Sequence, residues 1–213
     1  VTIQLPRIYP ITDARISSLT HTQQVKRLID GGATFIQLRE KSSSAKAFYD
    51  DAWHAFRIAR SAGATIIIND RVDVALALGA DGVHLGQVDL PVTIARQLLG
   101  ANAIIGYSTH NLEQVRVALD SPIDYLAFGP VFNTRSKQNP DPTVGLENLG
   151  RVKSLAGSTP VVAIGGIGRS NISEVFAARA DSAAIISDIL SPPEKIAENM
   201  HDLMLRVTGK QQC

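Results

Sequence analysis

Cysteine is nearly missing from this chain of 213 residues: the single one, Cys213, is the last residue. No disulfide can form within the chain, a reactive-thiol mechanism has little support, and the sequence reads as that of a cytoplasmic protein. An excess of charge of one sign is missing too. With 21 Lys and Arg against 20 Asp and Glu, the formal charge is +1. That leaves no net field to hold a nucleic acid or an anionic membrane, so any anion must be bound locally. Long apolar runs are absent as well. No stretch approaches the roughly 18 residues that a membrane span needs. The opening VTIQLPRIYPITD has no basic segment leading into an apolar one, which fits an unexported protein. A start at Val1 leaves room for residues or a fused domain upstream.

What is present is a hydrophobic content of 45%, ample for one core, with no linker, low-complexity tract or close tandem repeat to divide it. Eight apolar, β-branched runs recur: RIYPITD, FIQLRE, TIIIND, GVHLG, AIIGYST, YLAFGPVF, PVVAIGG and SAAIIS. Between them lie segments such as HTQQVKRLIDGG, SSAKAFYDDAWHAFRIARSAG and SNISEVFAARA, whose apolar residues fall three or four apart. Nearly all-apolar strands need cover on both faces, and alternating helices imply parallel crossovers. The expected fold is therefore α/β: a single-domain (β/α)8 TIM barrel over residues 1–213, with its core at about 7–207. An open doubly wound sheet would carry a glycine-rich turn after its first strand, and none follows Asp13.

A barrel builds its active site at the carboxyl ends of its strands, so the residues that end each run carry the functional information. The second run ends in QLREK, where Gln37 and Arg39 share a side by strand alternation and Lys41 follows, although a solvated basic patch fits the pentapeptide equally well. The third ends in Asn69 and Asp70. After the fourth comes Asp89, shortly before Pro91. Asp89 as a helix cap and Asp70 as a partner of Arg71 or Arg39 are the plain alternatives, but two carboxylates beside cations also suit Mg2+ with diphosphate oxygens. His84 and His110 lack the spacing of a helical zinc pair and read as structural histidines. Ser108 ends the fifth run, beside the bulky Tyr107 and followed by Asn111, a candidate helix cap. The sixth opens into a long loop, from Asn133 to about Gly145, with Thr134, Arg135, Ser136 and Lys137 above the barrel mouth. The seventh ends in Gly165, Gly166 and Gly168. The eighth ends in Ile186 and Ser187, with Asp188 following; barrels frequently hold a phosphate at these last two positions.

Taken in order, YPITD, GGATFIQLREK, INDRVDVALALGADGVHLGQVDLP, IIGYSTHN, LAFGPVFNTRSK, DPTVGLENL, VVAIGGIG and IISDIL resemble the thiamine-phosphate synthase family from about Tyr9 to Leu190. The resemblance implies a transferase that condenses 4-amino-2-methyl-5-hydroxymethylpyrimidine diphosphate with a thiazole phosphate, giving thiamine phosphate and pyrophosphate. Carried over by position, it implies that Gln37, Arg39, Lys41, Asn69, Ser108 and Lys137 hold the pyrimidine diphosphate. Arg39, Lys41, Ser108 and Lys137 would carry the catalysis. It further implies that Asp70 and Asp89 bind Mg2+. Thr134 and Ser136, with the backbone of Gly166, Ile186 and Ser187, would hold the thiazole phosphate. Small-molecule substrates and a homodimer are the implied partners. Ser136 departs from the threonine more often found there but keeps the hydroxyl.

Three rival readings share parts of this pattern. A thiazole tautomerase of the same fold would use a proton shuttle such as His110 and would need neither diphosphate cations nor carboxylates. A silent phosphate-ligand binder would keep the glycines and lose Asp70 and Asp89. A barrel isomerase of amino-acid biosynthesis explains the glycines but not QLREK.

Overall fold

The computed structural model describes residues 3–134 and 141–208. All eight apolar runs form strands: β1 Ile8–Thr12, β2 Phe35–Leu38, β3 Thr65–Asn69, β4 Gly82–Leu85, β5 Ile104–Thr109, β6 Tyr125–Phe128, β7 Val161–Ile164 and β8 Ser182–Ile185. Every neighbouring pair is parallel, and β8 returns to β1 to close the barrel. The helices in chain order are α1 Ala14–Ser17, α2 His21–Asp30, α3 Ala45–Ser61, α4 Val72–Leu78, α5 Val92–Leu99 and α6 Leu112–Leu119. They continue with α7 Gly145–Ala156, α8 Ile172–Ala177, α9 Ser187–Leu190 and α10 Ile196–Thr208. The expected TIM barrel is the fold observed.

Strand alternation divides the apolar residues into two layers. Ile36, Leu38, Ile66, Ile68, Val83, Leu85 and Ile105 face outward and pack under the helices. Tyr9, Phe35, Ile67, Tyr125 and Val162 face inward and fill the barrel. The aromatic rings inside meet edge to face, with Tyr9 and Phe35 4.8 Å apart at 81°. Tyr107 packs with the outer layer, which separates its ring from the neighbouring Ser108.

The end of the barrel where the strands begin is closed by a repeated device. Asp81, Asp124 and Asp181, which precede β4, β6 and β8, each accept the backbone N–H near the start of the preceding strand: Ile66, Ile105 and Val161, all at 2.7 Å. Arg96 of α5 and Lys153 of α7 neutralise two of these aspartates at 2.6 Å. Helix starts follow local chemistry. Thr20 and Gln23 form a reciprocal capping box on α2, and Ser44 caps α3. Asn111 caps α6 through the Gln114 amide, as its position suggests. The charged and amide side chains that line the cavity lie at the opposite end, where the strands finish.

Candidate active site

A cavity of about 400 Å3 opens at the carboxyl ends of the strands, and the sequence-predicted rim converges on it. Gln37 lines it from β2 and Arg39 and Lys41 from just beyond that strand, Asn69 from β3 and Asp70 from the residue after it, Asp89 from beyond β4 and Ser108 from β5. Thr134, Gly166, Ile186 and Ser187 line the other side. Ser136 and Lys137, with Arg135, lie outside the described residues.

The cations are held by carboxylates that the chain brings from elsewhere. Arg39 is paired through Nη1 with Asp13, whose side chain is only 2% exposed and which also caps α1 by accepting the Arg15 N–H at 2.9 Å. Asp70 is paired with Lys41 rather than with Arg71 or Arg39, the two partners considered from sequence. Arg71 turns to Asp73 instead, with Nε donating at 2.8 Å. Asp89 is not the cap of α5, which begins after Pro91 with no side-chain cap. Its Oδ2 accepts the Gly86 N–H at 2.7 Å. Burial pushes the Asp89 carboxyl up, the Gly86 N–H opposes this, and the neighbouring Asp70 charge pushes it further. Two carboxylates thus crowd one spot beside Lys41. Asp70 sits there in the left-handed backbone region at φ 61°, a conformation that costs a non-glycine residue about 1–2 kcal/mol.

Behind Arg39 and Lys41, Glu40 faces away from the cavity and braces the turn. Burial opposes its ionisation, but the N–H and hydroxyl of Ser42, the N–H of Ser43 and His21 hold it down to about 2. His21 Nδ1 in turn lies 2.7 Å from Thr12 Oγ1, which accepts the Arg39 backbone N–H at 3.3 Å.

In the cavity floor, the Asn69 side-chain amide is buried, and its Nδ2 has no hydrogen-bond partner among the described residues. A buried N–H left unpaired costs about 1–3 kcal/mol, so this atom is the clearest sign that a ligand acceptor completes the site. His84, read from sequence as a structural histidine, has a partner at each ring nitrogen. Nδ1 is 3.0 Å from Tyr125 OH and Nε2 is 2.8 Å from Ser108 Oγ. Burial pushes its imidazole down to about 4, with the Asp70 charge acting weakly the other way. The Ser108–His84 contact does not make a hydrolytic triad, because the far nitrogen meets a tyrosine hydroxyl where a triad has a carboxylate. His110 is tied by Nδ1 to the Gly129 carbonyl at 2.6 Å, with Nε2 3.6 Å from Asp141.

On the other side of the cavity, Gly165 and Gly166 have φ of 98° and 64°. A Cβ on Gly166 would overlap the Asn133 carbonyl oxygen and come within 2.8 Å of Phe132 Cβ. Gly168 has a different role from the one that its motif suggests. Its N–H is taken by Asn171 Oδ1 at 2.9 Å, and a Cβ there would lie 2.8 Å from Asp188 Cγ. Asp188 accepts from both the backbone N–H and Nε of Arg169 at 3.0 Å, which locks the glycine turn to α9. Sequence reasoning missed Asp13, Arg169, Tyr9 and Tyr125. The inward parity of Tyr9 and Tyr125 on their strands was the one signal available, since a buried phenol needs a partner.

The family described as thiamine monophosphate synthase matches residues 8–189. The chain belongs to this family. It is 43% identical over 209 residues to the thiamine-phosphate synthase of Koribacter versatilis, covering 95% of this chain and 97% of that one. With the thiamine-phosphate synthase of Chloroflexus aurantiacus it shares 41% identity over 192 residues, covering 90% and 88%. Among solved structures, thiamine phosphate pyrophosphorylase from Pyrococcus furiosus superposes with a TM-score of 0.85 at 35% identity, covering 95% of this chain and 96% of that one.

Proposed function

We propose that this chain joins 4-amino-2-methyl-5-hydroxymethylpyrimidine diphosphate to a thiazole phosphate, releasing pyrophosphate and forming thiamine phosphate. Membership of the family supports the reaction. The observation that carries the reading is the meeting of the Asp70 and Asp89 carboxylates beside Lys41, at the mouth of a cavity whose floor holds an Asn69 amide with no partner for Nδ2 among the described residues.

The carboxylate pair suits Mg2+. Among the described residues no group of three or more His, Cys, Asp or Glu side chains could hold a metal. Two aspartate oxygens with diphosphate oxygens and waters would therefore complete the shell, the mixed coordination that Mg2+ prefers. When bound, Mg2+ supplies charge neutralisation to the departing diphosphate. Arg39, Lys41 and Lys137 act on the same developing charge, while Gln37, Asn69 and Ser108 hold the pyrimidine. Thr134, Ser136 and the backbone of Gly166, Ile186 and Ser187 take the thiazole phosphate. The C–O bond breaks ahead of attack by the thiazole nitrogen, so the chain needs to stabilise charge and exclude water rather than supply a nucleophile or base. The ties on His110 weigh against its use as the proton shuttle of a tautomerase.

No helix among the described residues is long and apolar enough to cross a membrane. The cytoplasm is the proposed compartment and a homodimer the proposed assembly. Ile94 and Leu98, four apart on α5 and both well exposed, offer apolar surface for a second copy, and sedimentation checks it. The reaction is tested by incubating both substrates with Mg2+ or with excess chelator. Equal, metal-dependent release of pyrophosphate and thiamine phosphate is expected, and absence of both from folded protein overturns the assignment.

A further inference from the structure

Beneath the cavity five side chains form one hydrogen-bonded relay that crosses the barrel from β2 to β5. Gln37 Nε2 donates to Tyr9 OH at 3.0 Å, and the Tyr9 and Tyr125 hydroxyls are 2.9 Å apart. Tyr125 OH lies 3.0 Å from His84 Nδ1, and His84 Nε2 lies 2.8 Å from Ser108 Oγ. The two ends, Gln37 and Ser108, line the cavity, while the two tyrosines are fully buried below it. Room for the relay is cleared by Gly106 on β5, where a Cβ would overlap the Tyr125 hydroxyl and the His84 ring nitrogen.

With the Gln37 amide nitrogen on Tyr9, counting hydrogens sets the direction of every other bond in the relay. The Gln37 amide nitrogen donates, so the Tyr9 oxygen accepts and its own hydrogen goes to Tyr125. The Tyr125 hydrogen then goes to His84 Nδ1, which places the proton of a neutral ring on Nε2. Nε2–H donates to Ser108 Oγ, leaving the Ser108 hydroxyl hydrogen to point to the cavity. At the other end Gln37 offers its carbonyl oxygen. Turning the Gln37 amide over reverses every bond, so that Gln37 would show an N–H and Ser108 a lone pair. A relay that mixes the two directions leaves a buried hydroxyl unpaired, so the five side chains switch together.

We propose that this relay is a specificity device: by coupling Gln37 as acceptor to Ser108 as donor, it selects an amino-substituted heteroaromatic ring and rejects the oxo counterpart. An exocyclic amino group donates and the adjacent ring nitrogen accepts, matching the pair; an oxo ring carries the opposite pattern. Tyr9, Tyr125 and His84 act here as positioning residues. The substrate side of the inference rests on the proposed pyrimidine reading, whereas the direction of the relay does not.

The test has two arms. Nitrogen-15 NMR of histidine-labelled wild-type protein reads the His84 tautomer, and Nε2–H is expected. The kcat/KM ratio for the aminopyrimidine diphosphate over its 4-oxo analogue reads the selection. It is expected to be on the order of a thousandfold in the wild type, from two mismatched buried hydrogen bonds. Tyr125→Phe removes the donor to Nδ1, so the tautomers mix and the ratio falls by about tenfold or more. Tyr9→Phe keeps Nε2–H, because Tyr125 can still donate, but frees Gln37 and lowers the ratio; it serves also if Tyr125→Phe fails to fold. An Nδ1–H tautomer in the wild type, or an unchanged ratio in a folded variant, overturns the proposal. Should the wild type form no thiamine phosphate, the assigned reaction fails. The affinity ratio for the two rings, by calorimetry, then decides the relay alone, with equal affinities overturning it.

Discussion

Replacing Gly166 by alanine should damage one half of the site and spare the other. The backbone there has φ 64°, in the left-handed region, and a Cβ would overlap the Asn133 carbonyl oxygen and press on Phe132 Cβ at 2.8 Å. The φ term costs about 1–2 kcal/mol. Overpacking against atoms that cannot rotate away adds about 1–3 kcal/mol. The turn can relieve much of this by moving outward, which converts the cost into a misplaced thiazole-phosphate cradle. The expected outcome is a rise in KM for the thiazole phosphate of about ten- to a hundredfold, with KM for the pyrimidine diphosphate within about threefold of wild type. Gly79→Ala is the control. Gly79 has φ 61° at the end of α4, but nothing lies within 4 Å of its Cβ position, so that variant should lose about 1 kcal/mol of stability and keep both constants. Steady-state kinetics with each substrate varied in turn, alongside thermal melts, reads both effects. A Gly166→Ala protein with unchanged melting temperature and a thiazole-phosphate KM within twofold of wild type would refute the placement of the cradle.

Lys137→Ala is expected to lower turnover by orders of magnitude with the melting temperature unmoved, and near-normal kcat would count against its role. Arg39→Ala should lower turnover similarly but also cost about 1–3 kcal/mol in urea denaturation, because it leaves the buried Asp13 carboxylate with only Arg15, whose guanidinium is 3.5 Å away; adding Asp13→Asn should recover part of that stability. Asp70→Asn should raise the Mg2+ concentration needed for half-maximal activity by at least about tenfold, and an unaltered metal titration would remove Asp70 from the metal site. With chelator present, stability should fall as pH drops from 6.5 towards 4, because buried His84 stays neutral down to about 4 while the unfolded chain takes up its proton near 6.5. The sign is loss on acidification, at most about 3 kcal/mol over that window. His84→Asn should flatten that slope, and parallel wild-type and variant curves would show that His84 does not titrate this way.

The eight strands, the helices between them and the polar character of each strand end were legible in the sequence, because period and composition are local properties of a segment. TIIIND announces a buried strand ending in a carboxylate, and GGIG a turn that needs glycine, without reference to the rest of the chain. The pairings were not legible. Asp13 to Arg39, Lys41 to Asp70 and Asp188 to Arg169 join residues 19 to 29 positions apart. Tyr9 and Tyr125 are 116 apart. Such contacts depend on how the strands register against each other and on the closure of β8 onto β1, which no single segment encodes. The sequence determined the fold and the inventory of the rim by itself. Which carboxylate neutralises which cation, that Gly168 serves Asp188, and that a buried relay ties Gln37 to Ser108 were decided only when the barrel closed and brought distant side chains within hydrogen-bond reach.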